Sequence, residues 1–146
     1  MIALDTNVLV RYLTQDDPVQ ARQVRALLES VEAAGESAYI GAVCLCEVVW
    51  VLDSAYDYSR AEIARALEGV LATALFEVEA EERLWIALAD YREKRGDFAD
   101  YVIGRTAAAA GCTRTMTLDR TLVGDPLFEV VRLPANARRG RRDRGT

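Results

Sequence analysis

Four acidic residues stand where a purely structural sequence has little use for a charge. Asp5 ends the apolar run IALD, and Glu47 interrupts the apolar stretch CLC-E-VVWVL. Asp100 lies at the start of an alanine-rich segment, and Asp119 ends TMTL. Each has a bland explanation taken alone. Asp5 or Asp119 caps the helix that follows, and Asp100 complements a helix dipole. Glu47 needs more, because an ionised carboxylate on a buried helix is costly unless it pairs or binds a cation. A salt bridge to an arginine is the structural alternative for it.

Together the four suggest a shared site. Carboxylates gathered in one pocket repel, and some take up protons unless a positive charge offsets them. The chain has no histidine, and Lys94 is its only lysine. A divalent metal is the simplest counter-charge, and an all-oxygen donor set selects a hard ion, Mg2+ or Mn2+. One or two such ions activate water and clamp phosphate oxygens, so the matching chemistry is phosphodiester hydrolysis. The missing histidine excludes Ser-His-Asp and Cys-His machinery and a histidine-bound zinc.

The elements that must position these groups can be read from periodicity and punctuation. Short apolar runs predict strands at 2–5, 37–42, 75–80, 113–119 and 128–134. Helical spacing predicts helices at 6–13, 18–35, 43–56, 59–73, 81–96 and 97–111. Asp17-Pro18 marks one helix start, and Ser59 with Glu62 forms a capping box at another. The segment 43–56 is apolar almost all round and reads as a buried helix. The order β-α-α-β-α-α-β-α-α-β-β predicts an α/β fold, a mainly parallel sheet sandwiched by helices. Ligands bind beyond the carboxyl ends of parallel strands, where Asp5 and Asp119 fall. Asp100 would face the same crevice from a strand–helix connection.

The 146 residues fit one domain, 51% hydrophobic and 28% charged. No apolar run is long enough to span a bilayer, and MIALDTN lacks the basic start of a secretory signal. A cytoplasmic location is expected. Cys44, Cys46 and Cys112 are odd in number and uneven in spacing, so they read as small buried hydrophobes. Net charge is −5, but residues 138–146 hold five arginines and one aspartate. The rest of the chain is therefore strongly acidic, at roughly −9. Residues 136–146 are expected to form a disordered tail, either a solvated end or a contact for RNA backbone.

The chain resembles the PIN-domain ribonucleases of the VapC toxin type. DTNVLVRYL, the glutamate in CLCEVVWVL, DFADYVIGRTAAAAG and the TLD at 117–119 carry the resemblance, in order, across about residues 1–135. The resemblance implies a single three-layer α/β/α domain that cuts RNA with Mg2+ or Mn2+. Its acidic positions match Asp5, Glu47, Asp100 and Asp119. Its polar pair matches Thr6 and Asn7, which would hold the first turn and orient Asp5. Asp97 would cap a helix or support Asp100, and Thr117 would sit beside the metal. An antitoxin partner and a homodimer are also implied. Arg11 and Arg120 are candidates for phosphate contact or are plain surface arginines.

Two other readings compete. A phosphatase or receiver type also places aspartate after the first strand. The phosphatase type wants a second aspartate where Asn7 stands, and both types want a lysine near a later strand. A PIN-fold module that grips RNA or protein without cutting is the alternative from a different class. Metal binding separates it from the enzyme.

Overall fold

The structure is a computed structural model that describes residues 1–132 and Pro134. The arginine-rich segment 136–146 lies outside the described residues. Five strands and six helices alternate as expected. They are β1 (Ile2–Ala3), α1 (Thr6–Thr14), α2 (Pro18–Ala33), β2 (Ala38–Ile40), α3 (Ala42–Ser54) and α4 (Arg60–Ala72). β3 (Phe76–Val78), α5 (Glu81–Glu93), α6 (Phe98–Ala109), β4 (Thr115–Thr117), a 3-10 turn (Arg120–Leu122) and β5 (Phe128–Val130) follow.

Local chemistry sets the helix starts. Asp17 accepts from the N–H groups of Val19 and Gln20 at 3.1 and 3.0 Å, and Pro18 occupies the first turn, where its missing N–H costs nothing. At α4 the Ser59 hydroxyl accepts from Glu62 N–H while Glu62 reaches back to Ser59 N–H. This is the capping box expected from the sequence.

β1, β2 and β3 form one parallel sheet in that order, with Ile2 opposite Ala38 and Ala38 opposite Phe76. β4 and β5 form a second parallel pair, with Thr115 opposite Phe128. Every strand is two or three residues long, shorter than its apolar run. The hydrogen-bonded ladder of the described residues is therefore in two pieces, and helix packing supplies most of the cohesion. Leu9, Ile40, Leu45, Leu52, Leu84 and Phe98 are fully buried within one core. Gly104 brings α6 against β5: a Cβ there would lie 2.8 Å from the Phe128 ring.

Helix α3 departs from expectation. Leu45, Val48 and Leu52 are buried, but Val43 is 73% and Trp50 70% exposed. Apolar character all round does not bury all of a helix; α3 packs one face and leaves a second apolar face open. Cys44 and Cys46 are partly buried as expected, whereas Cys112 is exposed just beyond α6. No helix among the described residues is long and apolar enough to cross a membrane.

Candidate active site

Asp5 stands two residues past β1, at the N-cap of α1. Its Oδ1 accepts from Val8 N–H at 3.0 Å. The backbone is anchored one residue earlier, where Leu4 N–H donates to the Tyr39 carbonyl at 2.9 Å. An apolar run must end where the strand gives way to a helix, and an N-cap there favours aspartate. The carboxylate is exposed, and its orientation comes from this cap.

Thr6 does something other than orient Asp5. Its hydroxyl donates to Glu47 Oε2 at 2.5 Å and lies 3.9 Å from Cys44 Sγ. The first turn of α1 thus holds the glutamate of α3 across the interface of the two helices. Glu47 is exposed, not buried within an apolar helix as its sequence context predicts. The desolvation argument for a metal at Glu47 therefore loses its force. Burial raises the pKa of the Cys44 thiol, and the nearby charges of Asp5 and Glu47 raise it further, against the hydrogen bond from Thr6. Asp5, Thr6, Cys44 and Glu47 are one neighbourhood. Asn7 is exposed and lines a cleft with Asp5, Val8 and Gln20.

Asp97, Asp100 and Asp119 form the second neighbourhood. Asp97 is the N-cap of α6, and its N–H donates to Asp100 Oδ2 at 3.0 Å. α6 follows α5 directly, so Asp100 enters from a helix–helix turn and not from the expected strand–helix connection. Burial pushes the Asp100 carboxyl above its ordinary range; the charges of Asp97 and Asp119 push the same way, against the hydrogen bond from Asp97 N–H. Asp119 follows β4 and caps the 3-10 turn. Its Oδ1 accepts from Thr121 N–H at 2.9 Å and from the Thr121 hydroxyl at 2.8 Å. The backbone bond first, and then the hydroxyl, hold its carboxyl below the ordinary range. Thr117 Oγ1 accepts from Asp119 N–H at 3.0 Å and so shapes the turn.

The second neighbourhood is locked by a close approach at Gly96. A Cβ there would lie 2.6 Å from Leu122 and 2.7 Å from the Tyr101 hydroxyl, and Gly96 N–H donates to that hydroxyl at 2.7 Å. Leu122 belongs to the 3-10 turn that Asp119 caps, so this contact joins the Asp97 turn to Asp119. Glu47 and Trp50 of α3 line a groove of about 730 Å³ together with Ala99, Val102 and Ile103 of α6; Ala99 is the neighbour of Asp100 in sequence. Among the described residues no three acidic, thiol or imidazole side chains sit close enough to form a ready cation cage. The donors are nonetheless all oxygen, and Asp100 carries the like-charge stress that a cation relieves. Their chemistry fits a hard divalent ion.

The arginines near the site are engaged elsewhere or face solvent. Arg11 donates to Gln20 Oε1, Asp16 Oδ1 and the Tyr56 hydroxyl, at 2.5, 2.9 and 2.9 Å, which ties α1 to α2 and to the end of α3. Arg120 is exposed. Lys94 lies 3.2 Å from Asp90 and 3.1 Å from Asp125. This is an ion network that also takes in Arg105, so the lone lysine serves the fold and the phosphatase and receiver readings lose their lysine. Sequence reasoning missed Gly96, Tyr101 and Leu122, whose role is visible only as contact. The Gly96-Asp97 pair, a glycine before an N-cap, was the one local signal available.

Comparison with known proteins places the chain in a family. Residues 2–123 match the PIN domain. A VapC ribonuclease of Aquifex aeolicus (strain VF5) is 25% identical over 120 residues, spanning 82% of this chain and 88% of that protein. The family match takes in all four strand-end and helix carboxylates, and the chain belongs to the PIN domain family.

Proposed function

We propose that this protein is a divalent-metal-dependent endoribonuclease, the toxin of a toxin–antitoxin pair. The observation that carries the reading is the set of four carboxylates within a PIN fold, in two neighbourhoods, Asp5 with Glu47 and Asp100 with Asp119, each carboxylate held by its own hydrogen bond. The similarity to a protein named VapC ribonuclease supports RNA as the substrate class. Asp5, Glu47, Asp100 and Asp119 would hold Mg2+ or Mn2+. A bound ion of this kind supplies positive charge that acidifies water and neutralises phosphate oxygens.

The chain's own residues supply the positioning. Val8 N–H fixes one oxygen of Asp5 and leaves the other free. Thr6 aims Glu47, Asp97 N–H aims Asp100, and Thr121 with Thr117 sets Asp119. Asn7 lies beside Asp5 on the cleft wall, where RNA would pass. Carboxylates held in this way would orient an attacking water, and pre-set geometry of this kind lowers the barrier.

Partners follow from the same reading. An antitoxin would cover the Asp100 and Asp119 neighbourhood, and a second copy of the chain would cover the open apolar face of α3. The working compartment would be the cytoplasm.

The test is cleavage of total RNA by purified protein with Mg2+, with Mn2+ and with EDTA, alongside Asp5→Asn and Asp100→Asn. Cleavage should need metal and fall at least about a hundredfold in each variant, the scale set by a positioned charged group. Full activity in either variant would remove that residue from the site. Metal binding by folded protein that cuts no RNA in a broad pool would favour the non-cleaving module.

A further inference from the structure

Arg60 opens α4 and reaches the turn between α5 and α6. It lies on the surface, yet one nitrogen of its guanidinium is held by three carbonyls. Nη2 donates to the carbonyls of Tyr91, Lys94 and Gly96 at 2.6, 3.0 and 2.9 Å. The guanidinium also stacks on the Tyr91 ring, 3.9 Å from its centroid. A planar cation on an aromatic face is held in one orientation. The first two carbonyls close the C-terminus of α5, which is ordinary helix capping. The third belongs to the peptide that joins Gly96 to Asp97. The N–H of that same peptide donates to Asp100 Oδ2 at 3.0 Å.

We infer that Arg60 is a positioning residue for Asp100, acting through the single peptide plane between Gly96 and Asp97. This rests on the nuclease reading for its functional meaning, but not for its geometry. A cation on the carbonyl oxygen withdraws charge from the amide, so the N–H becomes a stronger donor; bonds in such a chain strengthen one another. Arg60 also fixes the plane of the peptide, and with it the direction of the N–H. Asp100 Oδ2 is thereby held, and its carboxylate is fixed relative to the first turn of α6. Arg92, near the end of α5, provides an internal contrast. It ties α5 to α4 through Glu68 at 2.7 Å, but no contact of its own reaches the Asp97 turn.

The experiment compares Arg60→Met, Arg60→Lys and Arg92→Met with the unaltered chain by two readouts. One is the Asp97 amide proton resonance. The other is Mn2+ affinity by titration of free ion, with folding checked by circular dichroism. Arg60→Met should move the Asp97 resonance upfield and weaken Mn2+ binding about tenfold, the low end of what losing a group behind a ligand costs. Arg60→Lys, which keeps a charge but neither the fork nor the stacking, should fall between. Arg92→Met should change neither. A folded Arg60→Met that keeps both the Asp97 resonance and the Mn2+ affinity would overturn the inference and leave Arg60 a cap of α5. If Arg60→Met fails to fold, Arg60→Lys decides by the same two readouts. If the unaltered chain takes up no Mn2+, the nuclease reading fails, and the Asp97 resonance alone decides this inference.

Discussion

At the scale of single residues, each carboxylate of the candidate site has one fixed oxygen. Asp5 is fixed by a helix cap, Asp100 by the peptide ahead of it, and Asp119 by the threonine that follows. Glu47 alone depends on a side chain from another element, the Thr6 hydroxyl. Thr6→Val removes that donor and keeps the shape. It should slow RNA cleavage about tenfold, as losing the group behind a ligand does. Stability should stay within about 0.5 kcal/mol, since Thr6 is only partly buried. Thr6→Ser keeps the hydroxyl and should cleave at nearly the unaltered rate. Rates and thermal denaturation of the two variants check this, and equal rates would show that Glu47 needs no such anchor.

At the scale of elements, the turn between α5 and α6 is where fold and site meet. Gly96→Ala drives a methyl into Leu122 and the Tyr101 hydroxyl. Overpacking of this kind costs about 1–3 kcal/mol and should push the Asp97 turn away from Asp119. Chemical denaturation and RNA cleavage should both register it. The same two helices carry an ion network around the buried Asp90. Arg105 donates to both oxygens of Asp90 at 2.7 and 2.8 Å, and Lys94 joins it. Burial opposes ionisation of Asp90, but the hydrogen bonds and charges of Arg105 and Lys94 outweigh it and hold the carboxyl below its ordinary range. A carboxyl that titrates lower folded than unfolded stabilises the fold above its unfolded pKa. That contribution is lost as pH falls through the lower folded value. Asp90→Asn should therefore cost about 2 kcal/mol at neutral pH, less than a fully buried pair because both partners are partly exposed. The gap between variant and unaltered chain should close below the ordinary carboxylate range. Denaturation curves at several pH values measure this, and a gap independent of pH would deny Asp90 its role.

At the scale of the whole molecule, one surface is unlike the rest. Val43 and Trp50 of α3 and Ile103 of α6 project around a groove beside Glu47, at 73%, 70% and 55% exposure. A contiguous apolar surface of this kind marks an interaction site. With a second copy as the occupant, light scattering should give a dimer for the unaltered chain. Trp50→Glu should give a folded monomer. A monomeric unaltered chain at micromolar concentration would exclude the second copy.

Much was legible in the sequence because it is local. Helix starts follow from Asp17-Pro18 and Ser59–Glu62, the element order from apolar periodicity, and the candidate carboxylates Asp5, Glu47 and Asp119 stood out as charges within or at the ends of apolar runs. Local rules cannot say which face of an apolar helix finds a neighbour. Tertiary packing alone made Trp50 exposed and Glu47 a groove residue. The partner of each polar group was equally hidden. Thr6 serves Glu47 across 41 positions, and Arg60 reaches Gly96 across 36. Hydrogen bonds need atoms within about 3 Å, and only the folded chain sets which distant residues come that close.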